Sequence, residues 1–180
     1  MNVPNILTMG RIAMIPLMVV CFYWLGEHGR VWAAGLFAAA AVTDWFDGYL
    51  ARKLNQTTAL GAFLDPVADK LIVSIALVLL VAHFNELWLT LPAMIIVGRE
   101  IVISALREWM AELGKRANVA VSSMGKVKTA LQMVSITVLL GAPSGSLIET
   151  TGIYALYAAA ILTLWSMLIY LRAAWPELKN

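Results

Sequence analysis

"TDWFDGYLARKLNQTTALGAFLDPVADKLIVSIALVLLVA" (Thr43–Ala82) joins two kinds of sequence that seldom meet. Its last dozen residues, Leu71–Ala82, carry no charge and only one hydroxyl. Its first part holds Asp44, Asp47, Asp65 and Asp69, four of the eleven acids in the chain. The apolar run sets the fold class. The protein has 180 residues, of which 61% are hydrophobic and 13% charged, with a mean hydropathy of +0.80. A soluble domain has roughly 25% charged residues. Further uncharged runs occupy Ile12–Gly26, Val31–Val42, Leu131–Ala142 and Tyr154–Leu171. A spanning helix needs about 20 mostly apolar residues. A soluble helical bundle would need charged outer faces, and there are too few charges to coat one. The chain therefore reads as an all-α integral membrane protein.

Polar breaks fall at "GEHGR" (26–30), "RKLNQTT" (52–58), "HFNEL" (83–87), "LGKRANVAVSSMGKVK" (113–128) and "APSGSLIETTG" (142–152). They predict six transmembrane helices near 5–25, 31–54, 59–82, 87–113, 123–141 and 152–172. With no internal repeat, residues 1–180 form a single domain. The N-terminal "MNVPNILTMGR" lacks the basic n-region of a cleavable signal peptide. The single cysteine, Cys21, excludes an intramolecular disulfide framework. A net charge of +2 gives no footing for nucleic acid.

The basic residues work better as topology markers. With the N-terminus cytoplasmic, that side receives Arg11, Arg52, Lys53, Lys115, Arg116, Lys126, Lys128, Arg172 and Lys179, nine against Arg30 alone on the other. Both termini are expected in the cytoplasm. Lys70, Arg99 and Arg107 fall inside spans.

Asp44 and Asp47 are three apart, and Asp65 and Asp69 four apart, so each pair shares a helix face. Asp44, Asp47, Gly48, Ala51 and Arg52 form one stripe, and Gly61, Asp65 and Asp69 another. With "NQTT" as the turn, the helices run antiparallel and the four carboxylates fall almost level, roughly 13–19 Å from a turn near residue 56. That depth is the cytoplasmic half of a bilayer. Even one intramembrane charge costs a few kcal/mol or more. Protonation or cations must offset four of them. Oxygen-rich acidic clusters suit Mg²⁺ or Mn²⁺, and two pairs accommodate two ions about 4 Å apart. The same acids would also serve a proton or cation path, or a structural ion site. Gly48 and Gly61 either admit a bulky group to the backbone or pack helices. Arg52 either faces a second anion or snorkels to the membrane surface.

The pattern D-x2-D-G-x2-A-R-x8-G-x3-D-x3-D, met at Asp44, Asp47, Gly48, Ala51, Arg52, Gly61, Asp65 and Asp69, resembles the signature of the CDP-alcohol phosphatidyltransferase family. The resemblance implies an enzyme that displaces CMP from a CDP-linked lipid with an alcohol. By that likeness Asp44, Asp47 and Asp65 are the main ligands of two Mg²⁺ or Mn²⁺ ions. Asp69 is then the general base and touches the second metal, and Gly48, Ala51, Arg52 and Gly61 line the CDP pocket. It also implies a homodimer in the bacterial cytoplasmic (inner) membrane, with the active site facing the cytoplasm. "PNILTMGR" (4–11) is similar to the P-N-x-L-T-x-x-R segment common in one part of the family, where Asn5 and Thr8 either bond near the nucleotide or cap the first helix.

The acceptor must be read elsewhere. In "GREIVISALREWMAELGKR" (98–116) Arg99 and Arg107 share a face, and Lys126 and Lys128 follow across a short loop. These four form either a basic pocket for an acceptor phosphate or, with Glu100 and Glu108, an internal ion-pair network. Residues 87–133 resemble the branch of the family whose acceptor is glycerol 3-phosphate. The expectation is transfer of the phosphatidyl group of CDP-diacylglycerol to glycerol 3-phosphate, giving phosphatidylglycerophosphate and CMP. Inositol phosphate, phosphatidylglycerol or serine are the rival acceptors. A small cation transporter is the rival from another class, but the outer halves of the third and fifth helices offer no continuing polar path.

Overall fold

The computed structural model describes residues 3–54, 59–114 and 123–178, and their regular structure is entirely helical. Six α-helices follow in order: α1 (Val3–Trp24), α2 (Gly29–Leu54), α3 (Ala59–Phe84), α4 (Leu87–Glu112), α5 (Ser123–Gly141) and α6 (Leu147–Leu178). A single 3₁₀ turn, Gly26–His28, joins α1 to α2. The side chains of Asp47, Ala51, Arg52 and Lys126, and the surroundings of Gly48, lie outside the described residues. Lys115 and Arg116 lie wholly outside them.

The helices end where left-handed backbone is available. Gly26 (φ 59°) follows α1 and Gly114 (φ 72°) follows α4, a conformation glycine adopts without a Cβ penalty. Asn85 (φ 50°) does the same after α3, as asparagine tolerates. Five helices match the sequence expectation within a few residues. The sixth begins at Leu147 rather than 152 and continues to Leu178 rather than 172. Its early start has a local cause. The Glu149 amide donates to Ser146 Oγ at 3.1 Å and the Gly145 amide to Glu149 Oε2 at 2.6 Å, a variant of the capping box in "SLIE". Its late end is held by packing, since Ala174 is fully buried beside Met110, Leu106 and Ile103 of α4.

Packing then sets the order of the helices in space. α1 lies against both α2 and α3, whereas α2 and α3 make few direct contacts among the described residues. α5 packs on α6 and α2, and α4 on α6 and α3. The core runs through the bundle as Met18, Phe37, Ile72, Leu77, Leu80, Leu89, Ile96, Ile136, Leu139 and Leu140. Close approach is enforced at Gly152, where a Cβ would lie 2.9 Å from Val138 Cγ1, so α6 sits tightly on α5.

The outer surface is as apolar as the core. Val78, Met94, Ile101, Val134, Ile161, Trp165 and Leu168 are all exposed. In water such a surface would drive association; in lipid it is the solvated face. Four helices have spans long and apolar enough to cross a membrane: Asn5–Trp24, Phe63–Phe84, Leu87–Glu112 and Leu147–Trp175. α2 interrupts its apolar run with Asp44, Asp47, Arg52 and Lys53, and the apolar part of α5, Val127–Gly141, is short. Prolines 16, 66 and 92 sit inside α1, α3 and α4. Each removes one intrahelical donor, which a packed membrane bundle tolerates.

Candidate active site

A cavity of about 370 Å³ opens among α2, α3, α4 and α5, and among the described residues Asp44, Asp65 and Asp69 line it. Pro66, Lys70 and Val73 of α3, Glu100 and Arg107 of α4, and Thr129, Gln132 and Met133 of α5 complete its wall.

Asp44 and Asp69 meet at one nitrogen. Arg11 Nη1 lies 3.0 Å from Asp44 Oδ1 and 2.5 Å from Asp69 Oδ1. The levelling expected from helical rise thus holds for this pair, but the link between them comes from α1. Arg11 is only 1% exposed, while its two carboxylates remain about two-fifths exposed on the cavity. The sequence reading had placed Arg11 among the surface topology markers, and the structure corrects that. Its helix position explains the burial: Asn5, Thr8 and Arg11 recur every three residues on the α1 face that meets α2 and α3. Thr8, fully buried, donates its hydroxyl to Asp65 Oδ1 at 2.5 Å. Both Asn5 and Thr8 lie inside α1, so neither caps it, and Asn5 is buried as well. Gly61 is buried near the start of α3.

A second group of charges joins α4 to α5. Glu100 Oε1 accepts from Arg99 Nη1 at 3.0 Å and from Lys128 Nζ at 3.1 Å. Arg99 Nη2 also donates to Ser166 Oγ at 3.1 Å. Arg99 and Lys128 are both buried. The internal ion-pair network is thus formed by Arg99, Glu100 and Lys128, and it meets the cavity through the Glu100 side. Arg107 stands apart: it is exposed, lines the cavity, and donates from Nη2 to Tyr170 Oη at 3.2 Å. Glu108 lines a neighbouring cleft with Lys70, whose Nζ donates to Ser104 Oγ.

The residues that sequence reasoning missed are Arg11, as a partner of the aspartates, and Tyr170 and Ser166 on α6, which hold the arginines. The α6 signal was present as small or polar groups at Thr163, Ser166, Tyr170 and Ala174, spaced three or four apart and all buried. Trp165 and Trp175, by contrast, are exposed.

Chemically the cavity sets the carboxylates of Asp44, Asp65, Asp69 and Glu100 beside the cations Lys70 and Arg107. Among the described residues no three acidic, histidine or cysteine side chains converge into a metal-binding group. The donor set nonetheless suits a hard divalent cation, since Asp44, Asp65 and Asp69 face one cavity and offer carboxylate oxygens to it.

Comparison with known proteins points the same way. A family model described as CDP-alcohol phosphatidyltransferase matches residues 1–169. The chain is 55% identical over 179 residues to the CDP-diacylglycerol–glycerol-3-phosphate 3-phosphatidyltransferase of Salmonella choleraesuis, covering 99% of this chain and 98% of the relative. The protein of that name from Escherichia coli K12 is similar to the same extent. That from Sodalis glossinidius is 54% identical over 178 residues, 99% of this chain and 97% of the relative.

Proposed function

Because the chain belongs to the CDP-alcohol phosphatidyltransferase family, we propose that it transfers the phosphatidyl group of CDP-diacylglycerol to glycerol 3-phosphate, a step of phospholipid biosynthesis. The observation that carries the choice of reaction is identity above half over nearly the whole length to relatives named for it. The cavity supports it chemically: Asp44, Asp65 and Asp69 line it together with the cations Lys70 and Arg107, and the Arg99–Glu100–Lys128 group reaches its wall through Glu100.

In this reading the 1-hydroxyl of glycerol 3-phosphate attacks the diacylglycerol-linked phosphorus. The new phosphorus–oxygen bond forms as the bond to the CMP phosphate breaks. Asp69 takes the hydroxyl proton, and CMP leaves as an anion. Asp44, Asp47, Asp65 and Asp69 are the residues that would hold Mg²⁺ or Mn²⁺, whose chemistry is to offset the charge of the pyrophosphate and of the leaving group. Arg11 fixes Asp69 and Asp44 relative to each other, and Thr8 fixes Asp65. Gly48, Ala51, Arg52 and Gly61, with Asn5 and Thr8 nearby, are assigned to the CDP half by the family pattern. Arg99, Arg107, Lys126 and Lys128 are assigned to the acceptor phosphate.

Six spans, cytoplasmic termini and a cytoplasm-facing site in the bacterial inner membrane complete the proposal, with a homodimer as the assembly. The charge asymmetry supports this orientation even after burial removes Arg11 and Lys128 from the markers, leaving seven of the nine against Arg30.

The test is release of CMP by purified protein given CDP-diacylglycerol, Mg²⁺ and one acceptor at a time. Release with glycerol 3-phosphate and not with serine, inositol phosphate or phosphatidylglycerol is expected. Release only with one of the others would overturn the acceptor, and ion flux in proteoliposomes without CMP release would overturn the reaction.

A further inference from the structure

Arg99 and Arg107 stand about two turns apart on α4 and address one aromatic ring. The Cζ of Arg99 lies 5.7 Å from the centroid of Tyr170, and that of Arg107 5.4 Å. Their other partners differ in kind. Arg99 is 8% exposed and pairs with the Glu100 carboxylate. Arg107 is exposed to the cavity, and among the described residues no carboxylate pairs with it. Its polar partner is the neutral hydroxyl of Tyr170 at 3.2 Å. A carboxylate in that place would orient the guanidinium but also cancel the charge that an anion needs. A phenol orients it and leaves the charge free. The ring itself cannot drift. Tyr170 is 8% exposed and packed with Ile103, Leu106, Met110 and Ala174.

From this contrast we infer that Tyr170 is a positioning residue for the acceptor: its buried ring and hydroxyl hold Arg107 in the cavity, ready to grip the acceptor's phosphate. The inference rests on the reading above that the acceptor is a phosphorylated alcohol. A free arginine side chain loses rotamer freedom when it grips a phosphate, and holding it beforehand lowers that cost. The effect belongs to acceptor binding and not to the reacting phosphorus, which the aspartates serve.

Steady-state kinetics on the full-length protein in detergent or lipid nanodiscs tests this. Tyr170→Phe keeps the ring and removes one hydrogen bond, so KM for glycerol 3-phosphate should rise about three- to tenfold. Both kcat and KM for CDP-diacylglycerol should stay within about twofold. Tyr170→Leu, which also removes the ring face, should raise the acceptor KM further. In an Arg107→Lys background Tyr170→Phe should change little, because the guanidinium it positions is gone. A wild-type acceptor KM in Tyr170→Phe overturns the inference, as does an equal rise in both KM values, or full additivity with Arg107→Lys. If the wild-type protein releases CMP only with an unphosphorylated acceptor, the functional reading falls and takes the inference with it. If glycerol 3-phosphate is used but Tyr170→Phe is silent, only the inference falls.

Discussion

Arg11 and Arg30 hold opposite ends of the bundle, and they do it in opposite ways. Arg11 reaches out from α1 to carboxylates on two other helices, Asp44 and Asp69. Arg30, at the start of α2, reaches the end of α5 instead. It donates from Nη2 to the Leu139 carbonyl at 2.9 Å and from Nε to the Leu140 carbonyl at 3.2 Å. Its Nη1 adds Ser144 Oγ at 3.2 Å, and its guanidinium lies over Phe84 at 5.7 Å. The last carbonyls of a helix have no intrahelical donors, and a cation there also answers the helix dipole. Arg30 is thus absorbed by backbone that needs it in any folded state. Arg11 is absorbed by carboxylates that line a cavity and that a ligand can address. Charge that satisfies backbone reads as architecture; charge that satisfies other charge beside a cavity reads as a site.

Substitution at the two arginines breaks or sharpens that contrast. The largest effect is expected for Arg11→Met, which leaves Asp44 and Asp69 side by side without the nitrogen between them. Misplacing a reacting group by about 1 Å is worth roughly 100-fold in rate, and CMP release per folded molecule should fall by at least that much. Activity within tenfold of wild type would place Arg11 with Arg30 as architecture. Arg30→Met should do the reverse. It should lower stability in detergent by about 1.5–3 kcal/mol, the range for hydrogen bonds from a charged donor, with turnover per folded molecule unchanged. A loss of turnover without a loss of stability would show that the two ends are coupled. Ser146→Ala, near Arg30, is the smallest change. Loss of the cap on α6 should cost about 1 kcal/mol, seen as a lower melting midpoint and no change in either KM.

What could be read in the sequence follows from where the physics is local. Apolar runs and their polar breaks are properties of neighbours in the chain, so five helices fall where expected. The residues that end them, Gly26, Asn85 and Gly114, sit within or beside the expected breaks. The level pairing of Asp44 and Asp69 is also nearly local, since helical rise and one turn suffice to predict it. Arg11 is different. It sits at the edge of an apolar run, where a topology cation looks the same as a buried counter-ion. Only the three-residue recurrence of Asn5, Thr8 and Arg11 separates them. Tyr170 was hidden likewise among the aromatics of "WSMLIYLRAAW", because which side of α6 faces α4 depends on packing across the bundle. The start of α6 is hidden for a lesser reason: "SLIE" is a cap signal inside a polar break, where the neighbouring Pro, Gly and Ser read as loop.

All six helices supply the cavity wall or a side chain bonded to it, from Arg11 on α1 to Tyr170 on α6. The order in which a ribosome delivers them gives that fact a temporal meaning. When α2 and α3 enter the membrane, their acids meet a cation that is already there, because α1 precedes them. The cavity then waits for α4 and α5 to close its wall, and Arg107 waits for the ring that α6 carries. A chain stalled before its sixth helix would own every aspartate of the signature and still lack the ring that holds Arg107. Turnover would then report that the whole bundle has been inserted, not merely that its acidic half has formed.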